Sequence, residues 1–466
     1  PWALGVLKAK GGDMEAAAGI AVLIKVVLAL QHRYIPGHRH LRQLNPRIDL
    51  TDTPLFIPQQ GWPLPNEIDR PMAGVSAFSF GGTNAHLIVA AAAKSPVSPS
   101  VSAPTWHGLM LTAKSETALA ALAGRYGDFL QANPDVNLVD VCWTAHIGRA
   151  VFPHRAMVVA ESVAEMRSHL TNISQGKSSP AVAVAKAPRR PLRDIAFLFT
   201  GQGSQYVGMG RQLYDTQPVF RRVLDECDTA LKAELDLSLL TVLFAETDGR
   251  LDQTAYTQPA LFALEYALSE LWRSWGITPT VVLGHSLGEY AAACAAGCLT
   301  WADGLRLVAK RARMMQQLPP HGAMAAVLAS SEQLQPLIKA HGVEIAVING
   351  PKNTVISGTK TAVDTVLKTL SEQEIRSRPL AVSHAFHSVL MEPMLAEFAT
   401  FAQTLTYAPP KIPLISNVTG QPLTAAPDAD YWCQHLRQPV QFAAGLETLT
   451  QKQRPDRKST RLNSSH

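Results

Sequence analysis

A serine flanked by glycines stands between a predicted strand and a predicted helix. The stretch Gly284 to Gly288 reads Gly-His-Ser-Leu-Gly, follows the apolar run Val281 to Leu283 and precedes the alanine-rich run Ala291 to Gly297. This is the spacing of a nucleophile elbow, where the turn strains the serine backbone and larger neighbours would collide. The helix that follows directs N–H groups at the serine, where negative charge develops in acyl transfer. The alternative is an ordinary Gly-Ser turn, but the adjoining strand and helix favour a nucleophilic Ser286.

Other stretches of the second half are placed to surround this serine. The run Ile195 to Phe199 has a buried-strand pattern and ends in the glycine-rich Thr200 to Gln205. Such glycines expose backbone N–H groups at the sheet edge where α/β folds bind ligands. Between Ala323 and Leu380 short strands and helices alternate in a βαββα order, which indicates an inserted ferredoxin-like subdomain. Val382 to Ser388 then returns to the main sheet.

Composition narrows the class of protein. The chain has 466 residues, enough for roughly three domains, with 47% hydrophobic and 17% charged residues. Its net charge of +5 comes without a basic stripe interleaved with aromatics, which excludes nucleic-acid binding. The five cysteines show no spacing of a disulfide framework or a zinc site. A reducing, cytoplasmic location is therefore expected.

No membrane-spanning or secretory segment is predicted. The apolar run Ala16 to Leu30 is interrupted by Lys25 and is shorter than the about 20 residues that a bilayer requires. The chain opens with Pro1-Trp2 and shows no signal peptide. We expect no membrane partner, and we expect this sequence to be a piece of a longer protein.

Residues 1–92 end in two predicted strands joined by Gly81-Gly82. A phosphate cradle is one interpretation of these glycines, but no helix follows them, so a tight backbone approach between the strands is favoured. Together with the block Lys8 to Glu15, the turn Gly81 to His86 resembles the C-terminal end of a thiolase-like β-ketoacyl synthase. The family's lysine matches Lys8, but its catalytic histidine falls on Asp13. A carboxylate offers no N–H to a thioester oxygen, so this part is predicted not to condense.

A Pro/Ser-rich stretch, Lys94 to Ser100, precedes a smaller α+β unit within residues 93–190. Predicted strands and amphipathic helices alternate in it, and it resembles the linker domain between ketosynthase and acyltransferase. Its histidines are scattered, and we interpret them as structural: His146, His154 and His169.

Residues 191–455 resemble the acyltransferase domain of type I (modular) polyketide synthases. The resemblance implies an α/β fold, with an α/β-hydrolase-like core and the inserted ferredoxin-like subdomain. The motifs that carry it, in the family's order, are Gly201 to Gln205, Gln258 to Ala260, Gly284 to Gly288, Arg311 to Gln316, Asn349 to Pro351, His384 to Ser388, Ser416 to Gly420 and His435 to Val440. The family's closing strand has no counterpart, and residues 456–466 are interpreted as a non-native tail outside the fold.

The resemblance implies a catalytic set. Ser286 is the nucleophile that forms an acyl ester, and His387 is the general base. The backbone N–H groups of Gln202 and Leu287 form the oxyanion hole. No aspartate completes a triad, because a main-chain carbonyl orients the base, and the matching residue is His435.

The resemblance also implies a substrate site. Arg311 holds a free carboxylate of the acyl group in a bidentate pair, and Gln258 and Asn349 line the pocket. In the family, the sequence His-Ala-Phe-His, which contains Phe386 here, is associated with malonyl rather than methylmalonyl substrates. His435 counts among the residues near the substrate.

Two further histidines lie close to these residues in the sequence. His285 precedes the serine and His384 lies three residues before the base. We interpret both as structural.

The predicted function is transfer of a malonyl unit from malonyl-CoA to the phosphopantetheine thiol of an acyl carrier protein, in polyketide (fatty-acid-like) biosynthesis. No bound cofactor or metal is expected. The expected partners are the carrier protein and the rest of a multidomain synthase. Two alternatives remain: a serine hydrolase, which has no use for a buried Arg311, and an inactive docking fragment.

Overall fold

The computed structural model describes residues 2–92, 106–188, 194–245, 248–382, 384–452 and 456–459. The chain divides into two compact units, Pro1–Ala103 and Pro104–His466.

In its described residues the first unit contains two α-helices, one 3-10 helix (Glu15–Ala17) and three pairs of strands. Its strands are β1 (Trp2–Ala3), β2 (Tyr34–Ile35), β3 (Leu55–Phe56), β4 (Trp62–Pro63), β5 (Met72–Phe78) and β6 (Asn84–Ala90), and its α-helices are α1 (Lys8–Gly11) and α2 (Ala18–Gln31). The longest pair is the antiparallel hairpin of β5 and β6, in which Phe78 faces Asn84.

The two glycines of the hairpin turn are not explained by the close contact that was predicted. Gly82 has a φ of 88°, and a Cβ there would meet nothing within 4 Å. A Cβ at Gly81 would meet only Ser79 Oγ at 3.8 Å, an ordinary contact. The predicted tight approach between strands is therefore wrong. Gly82 is suited to its position because glycine adopts a positive φ without steric cost.

Asp13 is engaged by the lysine of the same block. Lys8 Nζ donates to Asp13 Oδ2 at 2.9 Å, and both side chains are exposed. This hydrogen bond lowers the pKa of Asp13. The ionised carboxylate is an acceptor only, so it cannot replace the N–H of an imidazole.

The second unit begins with a small α+β layer that has its own core. Its strands are β7 (His107–Ala113), β8 (His154–Ala160) and β9 (Val182–Lys186), and its helices are α3 (Glu116–Ala132), α4 (Leu138–Ile147) and α5 (Val163–Ser174). The antiparallel sheet has the order β7-β8-β9. Ser115 and Ser162 cap α3 and α5 by accepting N–H bonds, which satisfies donors that a helix start leaves free.

The remainder of the second unit holds the predicted elbow. Its strands are β10 (Ile195–Phe199), β11 (Val281–Gly284), β12 (Gly322–Val327), β13 (Glu344–Gly350), β14 (Asn353–Thr359), β15 (Ser377–Pro379), β16 (Leu414–Ile415) and β17 (Asp456–Ser459). Its helices are α6 (Arg211–Thr216), α7 (Pro218–Leu231), α8 (Leu239–Phe244), α9 (Thr254–Ser274), α10 (Gly288–Ala295), α11 (Trp301–Gln317), α12 (Ser331–Ala340), α13 (Lys360–Glu372), α14 (Glu392–Ala402), α15 (Ala429–Arg437) and α16 (Phe442–Lys452).

A parallel sheet of the order β16-β11-β10-β17 positions the site. Its central strands are apolar on both faces, as strands covered on both sides must be. Phe197 and Val282 are fully buried in the main core, which α9, α10 and α11 help to build. Because β10 and β11 are adjacent and parallel, the segments that follow Phe199 and Gly284 emerge at one edge.

The fourth strand corrects one expectation. Residues 456–466 were interpreted as a non-native tail and left out of the predicted fold, but the backbone of 456–459 pairs in parallel with Ile195 to Leu198. Their non-native origin stays a prediction. Ladder hydrogen bonds involve main-chain groups only, and an open strand edge accepts an extended segment whatever its side chains are. Residues 460–466 lie outside the described part of the chain.

The predicted ferredoxin-like insert is confirmed and gains a strand. Elements β12, α12, β13, β14, α13 and β15 follow one another in a βαββαβ order. All neighbouring strands are antiparallel, in the order β13-β14-β12-β15. The insert has a separate apolar cluster that includes Ile338, Ile356 and Val366.

The described residues contain neither a membrane-spanning helix nor a metal-binding cluster. None of their helices has the length and apolar character needed to cross a bilayer. Among the same residues no cluster of His, Cys, Asp and Glu side chains is suited to hold a metal ion.

Candidate active site

The backbone at Ser286 has the strained conformation of a nucleophile elbow. Ser286 has a φ of 50°, which is rare for a residue with a side chain. A Cβ at Gly284 would lie 2.0 Å from the backbone nitrogen of Glu289, and one at Gly288 would lie 2.5 Å from the carbonyl oxygen of Phe199. Both glycines are therefore required by backbone contacts, one within the turn and one against β10.

The serine meets a histidine that lies 101 residues away in the chain. Ser286 Oγ and His387 Nε2 are 2.8 Å apart, and His387 Nδ1 lies 3.0 Å from the carbonyl oxygen of Gln438. A carbonyl only accepts, so Nδ1 carries the proton and Nε2 is free to accept the serine proton. The prediction that His435 provides the orienting carbonyl is wrong: the carbonyl belongs to Gln438, the C-cap of α15.

The surroundings of His387 keep its ring neutral. Burial lowers its pKa well below the ordinary 6.5, and the charges of His435, Arg311 and His285 lower it further. A neutral imidazole can accept a proton, so this contact suits a serine hydroxyl as nucleophile and His387 as its general base.

Arg311 is a buried cation without a carboxylate partner among the described residues. It is 2% exposed, and burial lowers its pKa. Its Nη1 donates to Gln258 Oε1 at 2.5 Å, and its guanidinium lies 5.5 Å from the ring centre of Tyr290. Nε has no partner in the described structure. The group is held in place by neutral contacts, which leaves its charge available to an anion.

The loop after β10 is linked to this cation through Gln258. Gln258 is 1% exposed, and its Nε2 lies 3.4 Å from Gln202 Oε1 and 3.3 Å from Met315 Sδ. Gln202 follows β10, and Leu287, the N-cap of α10, follows β11. The two predicted oxyanion residues thus lie beyond the ends of adjacent parallel strands.

The other predicted residues divide between pocket and framework. His285 Nε2 lies 2.9 Å from Asn349 Oδ1, and its ring packs edge-on against Phe442. His384 Nε2 lies 3.1 Å from the carbonyl oxygen of Leu318. These contacts agree with structural roles for His285 and His384. They also place Asn349 against the residue next to the serine.

Sequence reasoning missed Asn417, which contacts the nucleophile directly. Its Oδ1 accepts from the backbone N–H of Ser286 at 2.6 Å, and its Nδ2 donates to the carbonyl of Gly284 at 2.8 Å. It lies in the Ser416 to Gly420 motif, but its partner is 131 residues distant in the chain. No local pattern reveals such a contact.

Comparison with protein families identifies three successive parts of the chain. Residues 196–456 match the family described as acyl transferase domain. Residues 107–170 match CurL-like, PKS C-terminal, and residues 1–42 match the beta-ketoacyl synthase C-terminal domain.

Known proteins agree with these matches. Over 464 residues the chain is 42% identical to the phenolphthiocerol synthesis polyketide synthase type I Pks15/1 of Mycobacterium bovis. The match covers 96% of this chain but only 22% of that synthase. The acyl transferase domain of ZmaA has a TM-score of 0.72 at 34% identity and covers 78% of this chain and 85% of that one. Malonyl CoA-acyl carrier protein transacylase from Burkholderia pseudomallei has a TM-score of 0.53 at 31% identity. That match covers 58% of this chain and 93% of the transacylase.

The matched residues include the elbow, the histidine and the buried arginine, so the site and the family assignment concern the same domain. The serine-hydrolase alternative has no support from these comparisons. The chain belongs to the acyl transferase domain family of type I polyketide synthases, and in it the C-terminal part of a β-ketoacyl synthase domain and a linker domain precede the acyltransferase.

Proposed function

We propose that this chain transfers a malonyl unit from malonyl-CoA to the phosphopantetheine thiol of an acyl carrier protein, through an ester on Ser286. The carrier protein and the rest of a cytoplasmic polyketide synthase are its proposed partners. The observation that carries the proposal is Arg311, a buried guanidinium with no carboxylate partner in the described structure, whose charge lowers the pKa of the base His387.

A buried cation whose charge lowers the pKa of His387 favours an acyl group with its own carboxylate. An uncompensated buried charge is costly, and an incoming carboxylate would compensate it. The planar guanidinium can bind a carboxylate through two parallel N–H bonds. Gln258 and Tyr290 already fix the orientation of Arg311, so little freedom is lost on binding. A malonyl thioester fits because a carboxylate lies one carbon from the carbonyl that reacts.

The dyad then performs two matching half-reactions. Ser286 Oγ attacks the thioester carbonyl while His387 Nε2 takes its proton, and the N–H groups of Gln202 and Leu287 stabilise the oxyanion. The C–S bond breaks, and the imidazolium returns the proton to the leaving CoA sulfur. In the second half the carrier thiol gives its proton to His387 and its sulfur attacks the acyl ester. The C–O bond breaks, and the imidazolium returns the proton to Ser286 Oγ.

Malonyl is proposed over methylmalonyl because of the residue before the base. Phe386 is buried and adjoins His387. A phenyl ring in this position occupies the volume that an α-methyl branch needs. One methyl group in an apolar pocket is typically worth about 1–3 kcal/mol, or roughly 10–200-fold in kcat/KM.

Intact-mass spectrometry tests the proposal. The chain is incubated with malonyl-CoA, and the expected result is a malonyl adduct that Ser286→Ala abolishes and that a carrier thiol removes. Lys310, beside Arg311 in sequence, forms a surface ion pair with Glu397, so Lys310→Ala is the matched control and should load normally. A malonyl adduct on the Ser286→Ala chain would contradict the nucleophile. Failure of the unmutated chain to load would favour the inactive docking fragment.

A further inference from the structure

A buried carboxylate lies under the elbow and has no part in the proposed chemistry. Glu289 is the second residue of α10 and is fully buried. Its Oε2 accepts from the backbone N–H of Asn417 at 2.8 Å, and its Oε1 accepts from the hydroxyl of Tyr431. His435 Nε2 lies 3.4 Å from Oε2, close enough for a charge contact although not aligned as a hydrogen bond. One side chain therefore joins three elements.

The first branch from Glu289 reaches the nucleophile. Glu289 holds the backbone of Asn417, and the Asn417 side chain spans the elbow from Gly284 to Ser286. Ser286 has a positive φ, a conformation that persists only when surrounding structure determines it. In the described structure the side-chain amide of Asn417 accepts the hydrogen bond from the backbone N–H of Ser286, and so it supports this strained conformation.

The second branch reaches the base. Tyr431 and His435 both belong to α15, and the C-cap of that helix, Gln438, gives the carbonyl that orients His387. Tyr431 Oη also lies 2.8 Å from Ser416 Oγ, next to Asn417, and accepts the serine proton because its own proton goes to Glu289. A shift of α15 would therefore move the carbonyl on which the tautomer and direction of the base depend.

We infer that Glu289 is a positioning residue that holds the nucleophile and the base in one frame, through Asn417 on one side and α15 on the other. The carbonyl of Gln438 takes the place that an aspartate has in a three-residue triad, and Glu289 supports the helix that ends at this carbonyl, although it touches neither reacting atom. This inference rests on the proposed acyl-serine chemistry. A misplacement of about 1 Å can cost about 100-fold in rate, so the effect should be large.

Labelling of Ser286 by a fluorophosphonate separates this inference from substrate recognition. The reagent has no carboxylate and no CoA: Ser286 Oγ bonds to phosphorus, fluoride leaves and His387 takes the serine proton. The rate is measured on the full chain for Glu289→Ala, Glu289→Gln, Tyr431→Phe and the surface control Glu397→Gln, with thermal unfolding as a fold check. An unmutated chain that is labelled but not loaded by malonyl-CoA refutes the proposed function and leaves this inference standing.

Glu289→Ala is expected to slow labelling by about 100-fold. Glu289→Gln should stay within about tenfold of the unmutated chain, because its amide can accept from Asn417 and donate to the Tyr431 oxygen. Tyr431→Phe should slow labelling by about tenfold, the worth of one charge-assisted hydrogen bond. If Glu289→Ala does not fold, the labelling rates of Tyr431→Phe and Glu289→Gln test the inference instead. Labelling of folded Glu289→Ala, or of Tyr431→Phe, at the unmutated rate overturns the inference.

Discussion

Arg311 is the residue on which recognition of the acyl carboxylate is proposed to depend. In Arg311→Ala the serine and histidine should keep their contact, but the substrate carboxylate would lose its proposed partner. We expect kcat/KM for malonyl loading to fall by about 2–5 kcal/mol, the range for truncating one partner of a buried charge pair. Acetyl loading should be unchanged or faster, because a buried cation is removed. Adduct formation from the two thioesters measures both, and equal losses would show that Arg311 acts only in folding.

Phe386 is the residue on which extender choice is proposed to depend. The unmutated chain should prefer malonyl-CoA over methylmalonyl-CoA by roughly 10–200-fold. Phe386→Ser removes the ring beside His387 and should narrow this ratio without reversing it, since other residues also shape the pocket. A competition between the thioesters, read by mass on the serine, gives the ratio. Methylmalonyl loading as fast as malonyl in the unmutated chain would refute the steric role.

His387 determines how the reaction depends on pH. Burial and nearby positive charges lower its pKa well below 6.5, so the ring is still neutral at pH 6.5. The acylation rate should therefore remain level from pH 7.5 to 6.5 and fall only at lower pH, as Nε2 becomes protonated. The unfolded chain binds a proton on this residue that the folded chain does not, so the same shift reduces folding stability below about pH 6.5. A rate that is already halved at pH 6.5 would contradict the lowered pKa.

The contact between α10 and the end of β10 leaves no room for a methyl group. In Gly288→Ala the new Cβ would lie 2.5 Å from the carbonyl oxygens of Phe199 and Thr200, both backbone atoms that cannot rotate away. Such overpacking typically costs about 1–3 kcal/mol. We expect a lower unfolding temperature and slower acylation, because the loop with Gln202, whose N–H is proposed to stabilise the oxyanion, begins at Thr200.

Gly124 provides the control for that prediction. It lies within α3, where a Cβ would meet only Ser174 Cβ at 3.8 Å, an ordinary contact. Gly124→Ala should stabilise the protein by about 0.5–1 kcal/mol, since alanine suits a helix interior better. If the unfolding temperatures of Gly288→Ala and Gly124→Ala shift by the same amount, the contact of Gly288 with the end of β10 is looser than described.

The division of the whole molecule predicts that the acylation chemistry is confined to one part. The serine, the histidine, the buried arginine and Glu289 all lie within Pro104–His466, which is compact by itself. A chain that begins at Pro104 should therefore be acylated by malonyl-CoA at the rate of the full chain. Intact mass over time measures both, with Ser286→Ala in each chain as the blank. Loss of acylation in the shorter chain would show that residues 1–103 contribute to the site.

The sequence by itself determined the features that depend on short spacings. The glycines at 284 and 288 predicted the elbow. Backbone atoms exclude side chains at both positions, those of the turn itself at 284 and those at the end of β10 at 288. The alternation of strands and helices predicted the ferredoxin-like insert, since period and length are local properties. Family motifs led to Ser286, His387 and Arg311, which the structure brings into one region.

Only the tertiary structure decided which distant groups meet. The carbonyl that orients His387 belongs to Gln438 and not to His435, because it depends on where α15 ends and how it packs. Asn417 and Glu289 acquire their contacts across more than 120 residues, and the pairing of 456–459 depends on an open edge of β10. Apart from proline, every residue has the same main-chain N–H and C=O groups. The residue type therefore does not indicate which main-chain group a side chain will contact, and that partner depends on how whole elements pack.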